Sequence, residues 1–131
     1  MRMIDKEQEN DDSVEVTWED QQRINTFSKL NTRIKSIEAK LEGLKEEKEA
    51  LDDLAMELEL ADEDEPVLYK VGEAFLHLPL PKALKRLKKD QTEIDSQVSS
   101  LASSAEEIEK EMKLLKVTLY GKFGSSINLD E

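Results

Sequence analysis

A chain of 131 residues with 38% charged and 37% hydrophobic side chains, a formal net charge of −12 and no cysteine is narrowly bounded before any motif is read. The missing cysteine excludes a disulfide framework, a thiolate zinc site and a thiol nucleophile, and the acidic balance argues against nucleic acid, whose phosphates need a positive stripe. No signal or transit peptide and no apolar stretch of membrane-spanning length is present, so the expected location is cytoplasmic, with no membrane partner.

Residues 1–13 are polar and acidic and are expected to form a disordered N-terminal tail. Residues 14–122 read as one coiled-coil hairpin domain. Thr17 can cap the free amides of a first helix, with Glu19 and Asp20 in the first turn where the helix dipole favours negative charge. From there Phe27, Leu30, Ile34, Ile37, Leu41, Leu44, Leu51, Ala55 and Leu58 follow strict 3,4 spacing, broken only at Lys48. An apolar stripe of that narrowness belongs to a coiled-coil seam, since a globular helix buries a wider face. The helix should span about 18–60, roughly 65 Å at the standard rise, and stop at the acidic run Asp62 to Glu65 before Pro66.

Two β-prone runs come next, Val67 to Val71 and Ala74 to Leu78, around Gly72, which supplies the positive φ of a tight turn. They predict a β-hairpin over about 66–78; an irregular loop is the alternative. A lone two-stranded hairpin is marginal in water and leaves donors and acceptors bare along both edges. Val67, Leu68, Tyr69, Val71, Gly72, Phe75, Leu76 and Leu78 are therefore the candidate oligomerisation residues.

A second helix is expected over about 82–121, with Pro79 and Pro81 at its start and Gly121 and Gly124 at its end. Its seam is Leu84, Leu87, Ile94, Val98, Leu101, Ala105, Ile108, Met112, Leu115 and Leu119, broken at Gln91. Two seams of similar length on either side of a hairpin predict an antiparallel two-helix coiled coil. If Leu58 faces Leu84, then Phe27 faces Leu115 and Leu44 faces Val98. The same register sets Asp52 near Lys88, Lys45 near Asp95 and Arg33 near Glu111, all attractive pairs that select orientation more than they supply stability. Lys48 should pack its stem and send its ammonium to water. The basic cluster Lys82, Lys85, Arg86, Lys88 and Lys89 is expected to neutralise Asp52, Asp53, Glu57 and Glu59.

Residues 123–131 form a C-terminal tail at the end of the coil distant from the hairpin. Tyr69 and Phe75 sit in the hairpin, while the other aromatics, Trp18, Phe27, Tyr120 and Phe123, gather at that distal end, where Ile24, Leu119, Ile127 and Leu129 add aliphatic surface. Splayed apart, these eight residues would grip a nonpolar partner; packed together, they would merely cap the coil.

No catalytic constellation is expected, and no cofactor. His77 is the only histidine, so no metal set or nucleophilic triad can be completed from histidine and cysteine. Asp62 to Glu65 lacks the glycine and terminal glutamate of a calcium loop, and no Gly-rich phosphate loop occurs.

Three stretches carry a resemblance: Val16-Thr17-Trp18-Glu19-Asp20-Gln21-Gln22-Arg23-Ile24-Asn25 with Phe27; Tyr69-Lys70-Val71-Gly72-Glu73-Ala74-Phe75; and Leu119-Tyr120-Gly121-Lys122-Phe123-Gly124-Ser125-Ser126-Ile127-Asn128-Leu129. In order, and across residues 14–130, they resemble the signature stretches of the β-type prefoldin subunits. The resemblance implies a mainly α fold, a coiled coil with a β-hairpin between its helices, in a heterohexamer of α-type and β-type subunits whose hairpins build a barrel. It further implies that distal tips hold unfolded proteins, actin and tubulin above all, and deliver them to the cytosolic chaperonin without ATP. A structural coiled-coil adaptor, docking by its hairpin on one fixed partner, is the alternative reading.

Overall fold

The computed structural model describes residues 2–3 and 14–130. In chain order these form β1 (Arg2–Met3), α1 (Trp18–Glu59), β2 (Val67–Val71), β3 (Ala74–Leu78), α2 (Leu80–Phe123), a 3-10 turn (Gly124–Ser126) and β4 (Ile127–Asn128). The fold is mainly α: two long antiparallel helices of 42 and 44 residues with a two-stranded hairpin between them. Most of the acidic tail expected to be disordered, residues 4–13, lies outside the described residues, whereas Arg2–Met3 pairs antiparallel with Ile127–Asn128.

The chain divides into two compact units. The hairpin unit comprises residues 39–102, and the terminal unit the described residues up to Glu38 and from Ser103.

In the hairpin unit α1 ends within a residue of the expected place. The Leu60 amide then reaches back to Glu57, and Asp62 accepts the Asp64 amide at 3.0 Å, a local alternative that competes with helix. β2 and β3 pair in the register Val67 to Leu78 through Val71 to Ala74, with Gly72 at φ 64° in the turn. α2 starts at Leu80, two residues earlier than expected, because Pro81 sits in the first turn, where the missing amide would have had no helical acceptor. The seam differs from the expected one at its first position only. Leu58 packs with Leu80, Ala83 and Leu87, while Leu84, expected to face it, is exposed.

The charge pairs differ in detail. Asp95 pairs with Lys48 at 2.9 Å instead of Lys45, and Asp52 accepts from Gln91 instead of Lys88. Lys48 is half exposed, and the Asp95 carboxylate raises its pKa above the ordinary lysine value. Arg86 bridges to Asp90 on its own helix at 3.2 Å. Among the described residues Lys82, Lys85, Lys88 and Lys89 form no ion pair with the acidic end of α1, and Arg33 none with Glu111.

In the terminal unit Thr17 caps α1 as expected. The Thr17 hydroxyl accepts the Asp20 amide, and Asp20 accepts the Thr17 amide, both at 3.1 Å, a reciprocal capping box with aspartate in the third position. α2 runs two residues beyond its expected end, through Gly121, and stops where Gly124 takes φ 55°.

Candidate functional site

Two surfaces are candidates, one in each unit. On the hairpin, alternation and register put Val67, Tyr69, Val71, Leu76 and Leu78 on one face and Leu68, Lys70, Phe75 and His77 on the other. Tyr69 is buried among Leu58, Leu80, Ala83 and Leu87, and Val67, Val71 and Leu78 are half-buried beside it. Its hydroxyl donates to Asp90 at 2.8 Å, and the Arg86 guanidinium holds the other carboxylate oxygen. Burial, followed by that bond to Asp90, pushes the phenol pKa far above its usual value. Tyr69, expected among the oligomerisation residues, is thus committed within its own chain.

Leu68, Phe75 and Leu76 are 53%, 60% and 47% exposed. They lie on a two-stranded sheet whose outer edges carry no further strand among the described residues. The chemistry on offer is strand addition together with apolar burial, which suits another polypeptide better than a small molecule.

At the terminal unit the expected grip is folded inward. Ile24, Phe27, Leu119, Phe123, Ile127 and Leu129 form one buried cluster, and half-buried Tyr120 packs against it. Trp18 alone of the eight nominated residues is exposed, at 72%. Lys116 and Lys122 lie over the Phe27 and Phe123 rings at 5.9 and 5.4 Å. Asp20, 2% exposed, ties the two helices at this end: it accepts from Lys122 on α2 and from Arg23 at 3.1 Å. The Lys122 hydrogen bond outweighs the cost of burial, and with help from Thr17 it lowers the Asp20 pKa to about 2.

Leu114 and Val117, 69% and 67% exposed, were not nominated from sequence. They are three residues apart on α2 and share a face. Their signal was available: both are large apolar residues that fall outside the 3,4 seam and so have no helical partner to bury them. Among the described residues, no group of three or more His, Cys, Asp or Glu side chains is placed to hold a metal ion, and no helix is long and apolar enough to cross a membrane.

Two long helices with a two-stranded antiparallel hairpin between them are consistent with the prefoldin fold, and residues 21–126 match the family described as prefoldin subunit. The chain belongs to that family of chaperone subunits. It is 43% identical over 130 residues to prefoldin subunit 4 of Saccharomyces cerevisiae, covering 99% of each chain. It is 39% identical over 122 residues to a probable prefoldin subunit 4 of Drosophila melanogaster, covering 93% of this chain and 88% of the other. With prefoldin subunit 4 of Homo sapiens the identity is 33% over 120 residues, or 91% and 90% of the two chains.

Proposed function

We propose that this chain is the subunit-4-type member of a heterohexameric prefoldin in the cytoplasm. It joins α-type and β-type partners through its hairpin and contributes to holding unfolded actin and tubulin for delivery to the chaperonin, without ATP. The observation that carries the reading is on the outer hairpin face: Leu68 and Phe75 are more than half exposed beside strand edges that pair with no further strand among the described residues, while Tyr69 anchors the opposite face. A surface of that kind asks for neighbouring hairpins. Changing Leu68 and Phe75 together to Asp should release the subunit during co-purification with its partners while far-ultraviolet helicity stays at its original level. A variant that kept its place in the complex would overturn the assignment.

A second reading, the structural adaptor, draws on the burial of six of the eight distal residues in the chain's own core. The two part on aggregation. Complexes containing the chain should suppress light scattering by denatured protein, whereas an adaptor would not.

A further inference from the structure

Of the residues expected to hold clients, Ile24, Phe27, Leu119 and Phe123 are buried, and the chain's own end packs on them. After Gly124 turns at φ 55°, Ile127 and Leu129 enter the cluster of Ile24, Phe27, Leu119 and Phe123 and are 3% and 2% exposed. Two apolar side chains spaced i and i+2 on an extended segment point to one face, with half-buried Asn128 between them. The segment is also held by its backbone. Ile127–Asn128 pairs with Arg2–Met3, and the Leu129 amide donates to the Tyr120 hydroxyl at 3.0 Å. Its outermost fixing is an exposed ion pair between Lys116 and Asp130, a type worth little in water.

We propose that residues 127–130 are a built-in stand-in for client. The groove formed by Ile24, Phe27, Leu119 and Phe123 binds extended polypeptide carrying apolar side chains at i and i+2, and a client segment enters by displacing the tail. This rests on the client-holding reading above and names the class of segment recognised. The seat is described by its occupant: two apolar anchors, an amide facing the Tyr120 hydroxyl, and a strand edge. An unfolded chain offers that combination wherever apolar residues alternate, and a native protein hides it within its sheets. The tail shields the groove when no client is present, so the cluster does not become a self-association patch. Being tethered, the tail competes at high local concentration, so single weak segments lose and clients that engage several tips win.

The test uses the assembled complex and a fluorescent peptide with Ile and Leu at i and i+2 in a Ser/Gly background, beside a control peptide with both changed to Ser. Ile127→Ser with Leu129→Ser should tighten peptide binding about tenfold, as expected for a groove open about a tenth of the time in the unaltered chain. The control peptide should bind neither form. In the unaltered complex, saturating peptide should strip hydrogen-exchange protection from the Leu129 amide. Asp130→Ser removes the tail's ion pair with Lys116 and leaves the seat intact, and should tighten binding by about twofold; with circular dichroism of both variants it guards against simple loss of fold. Unchanged or weaker peptide binding in both variants, or a Leu129 amide that stays protected under saturating peptide, overturns the proposal. If the complexes still suppress aggregation in that case, only the tail's role falls. If no form suppresses aggregation, the client-holding reading falls with it.

Discussion

Asp20 shows how much one carboxylate can connect. It caps α1 through Thr17, pairs with Arg23 and reaches Lys122, 102 residues away along the chain, from a site that is 2% exposed. Asp20→Asn should cost about 2 kcal/mol, because the hydrogen bonds from Lys122 and Arg23 lose the acceptor's negative charge. The pH dependence follows from a pKa lowered to about 2 against 3.8 for the free side chain. A group depressed on folding stabilises above its unfolded pKa and ceases to as pH falls through the folded value. The gap in melting temperature between unaltered protein and Asp20→Asn should therefore be full above about pH 5 and shrink toward pH 2. Tyr69 has the opposite sign. Its pKa is raised on folding, so its contribution is whole below the ordinary phenol value near 10 and is lost at higher pH. Tyr69→Phe should cost about 1 kcal/mol by thermal melting, and Tyr69→Ala about 3–5 kcal/mol, since the ring fills the core beneath the hairpin.

At the scale of elements, the hairpin depends on Gly72. Its φ of 64° lies where side chains are strained, and nothing stands within 4 Å of where a Cβ would be, so the penalty is backbone strain alone. Gly72→Val should cost about 1–2 kcal/mol and Gly72→Asn much less. Hydrogen exchange of β2 and β3 amides should rise in the valine variant while α1 and α2 amides stay protected. The helices and this turn were legible in the sequence because heptad spacing, caps and glycine are local signals. The start of α2 was less so. Pro79 and Pro81 read as a boundary, but a boundary does not say that Leu80 belongs to the first turn, and it is Leu80 and Ala83 that are buried there while Leu84 is exposed. Charge pairing was read in the right neighbourhood and with the wrong partners, because long side chains reach across a turn in either direction: Asp95 found Lys48 in place of Lys45.

For the whole molecule, a net charge of −12 sets the response to salt. Assembly through the hairpin would rest on backbone pairing and apolar burial, which salt does not screen, whereas the chain's net negative charge would act on clients through solvent over about 10 Å at 0.1 M. Raising salt toward 1 M should leave the mass of the complex unchanged and alter client capture, read by aggregation suppression. Dissociation at high salt with unchanged capture would reverse that assignment of forces. Two buried clusters stand out among the described residues, one built on Phe27 and Leu119, the other on Tyr69 and Leu87. Leu41, Leu44, Ile94, Val98 and Leu101 on the seam are only half-buried. Leu30, Ile34, Ile37 and Ile108 on the same seam are buried, so substitutions at the half-buried seam positions should cost less than equal truncations at these or in either core, as judged by melting temperature.

The sequence by itself determined the two helices, the hairpin at Gly72, the Thr17 cap and the family, because each is written in short-range periodicity or in stretches of consecutive residues. Only the tertiary structure decided which apolar side chains are surface and which are core. Phe123 and Leu129 look like grip residues along the chain, yet they are buried, and Tyr69 looks like a contact for partners, yet it holds its own hairpin down. The physical reason is that burial depends on what the chain folds back upon. A turn at Gly124 and a carboxylate at Asp20 bring residues a hundred positions apart into one cluster, and no local pattern records such a meeting.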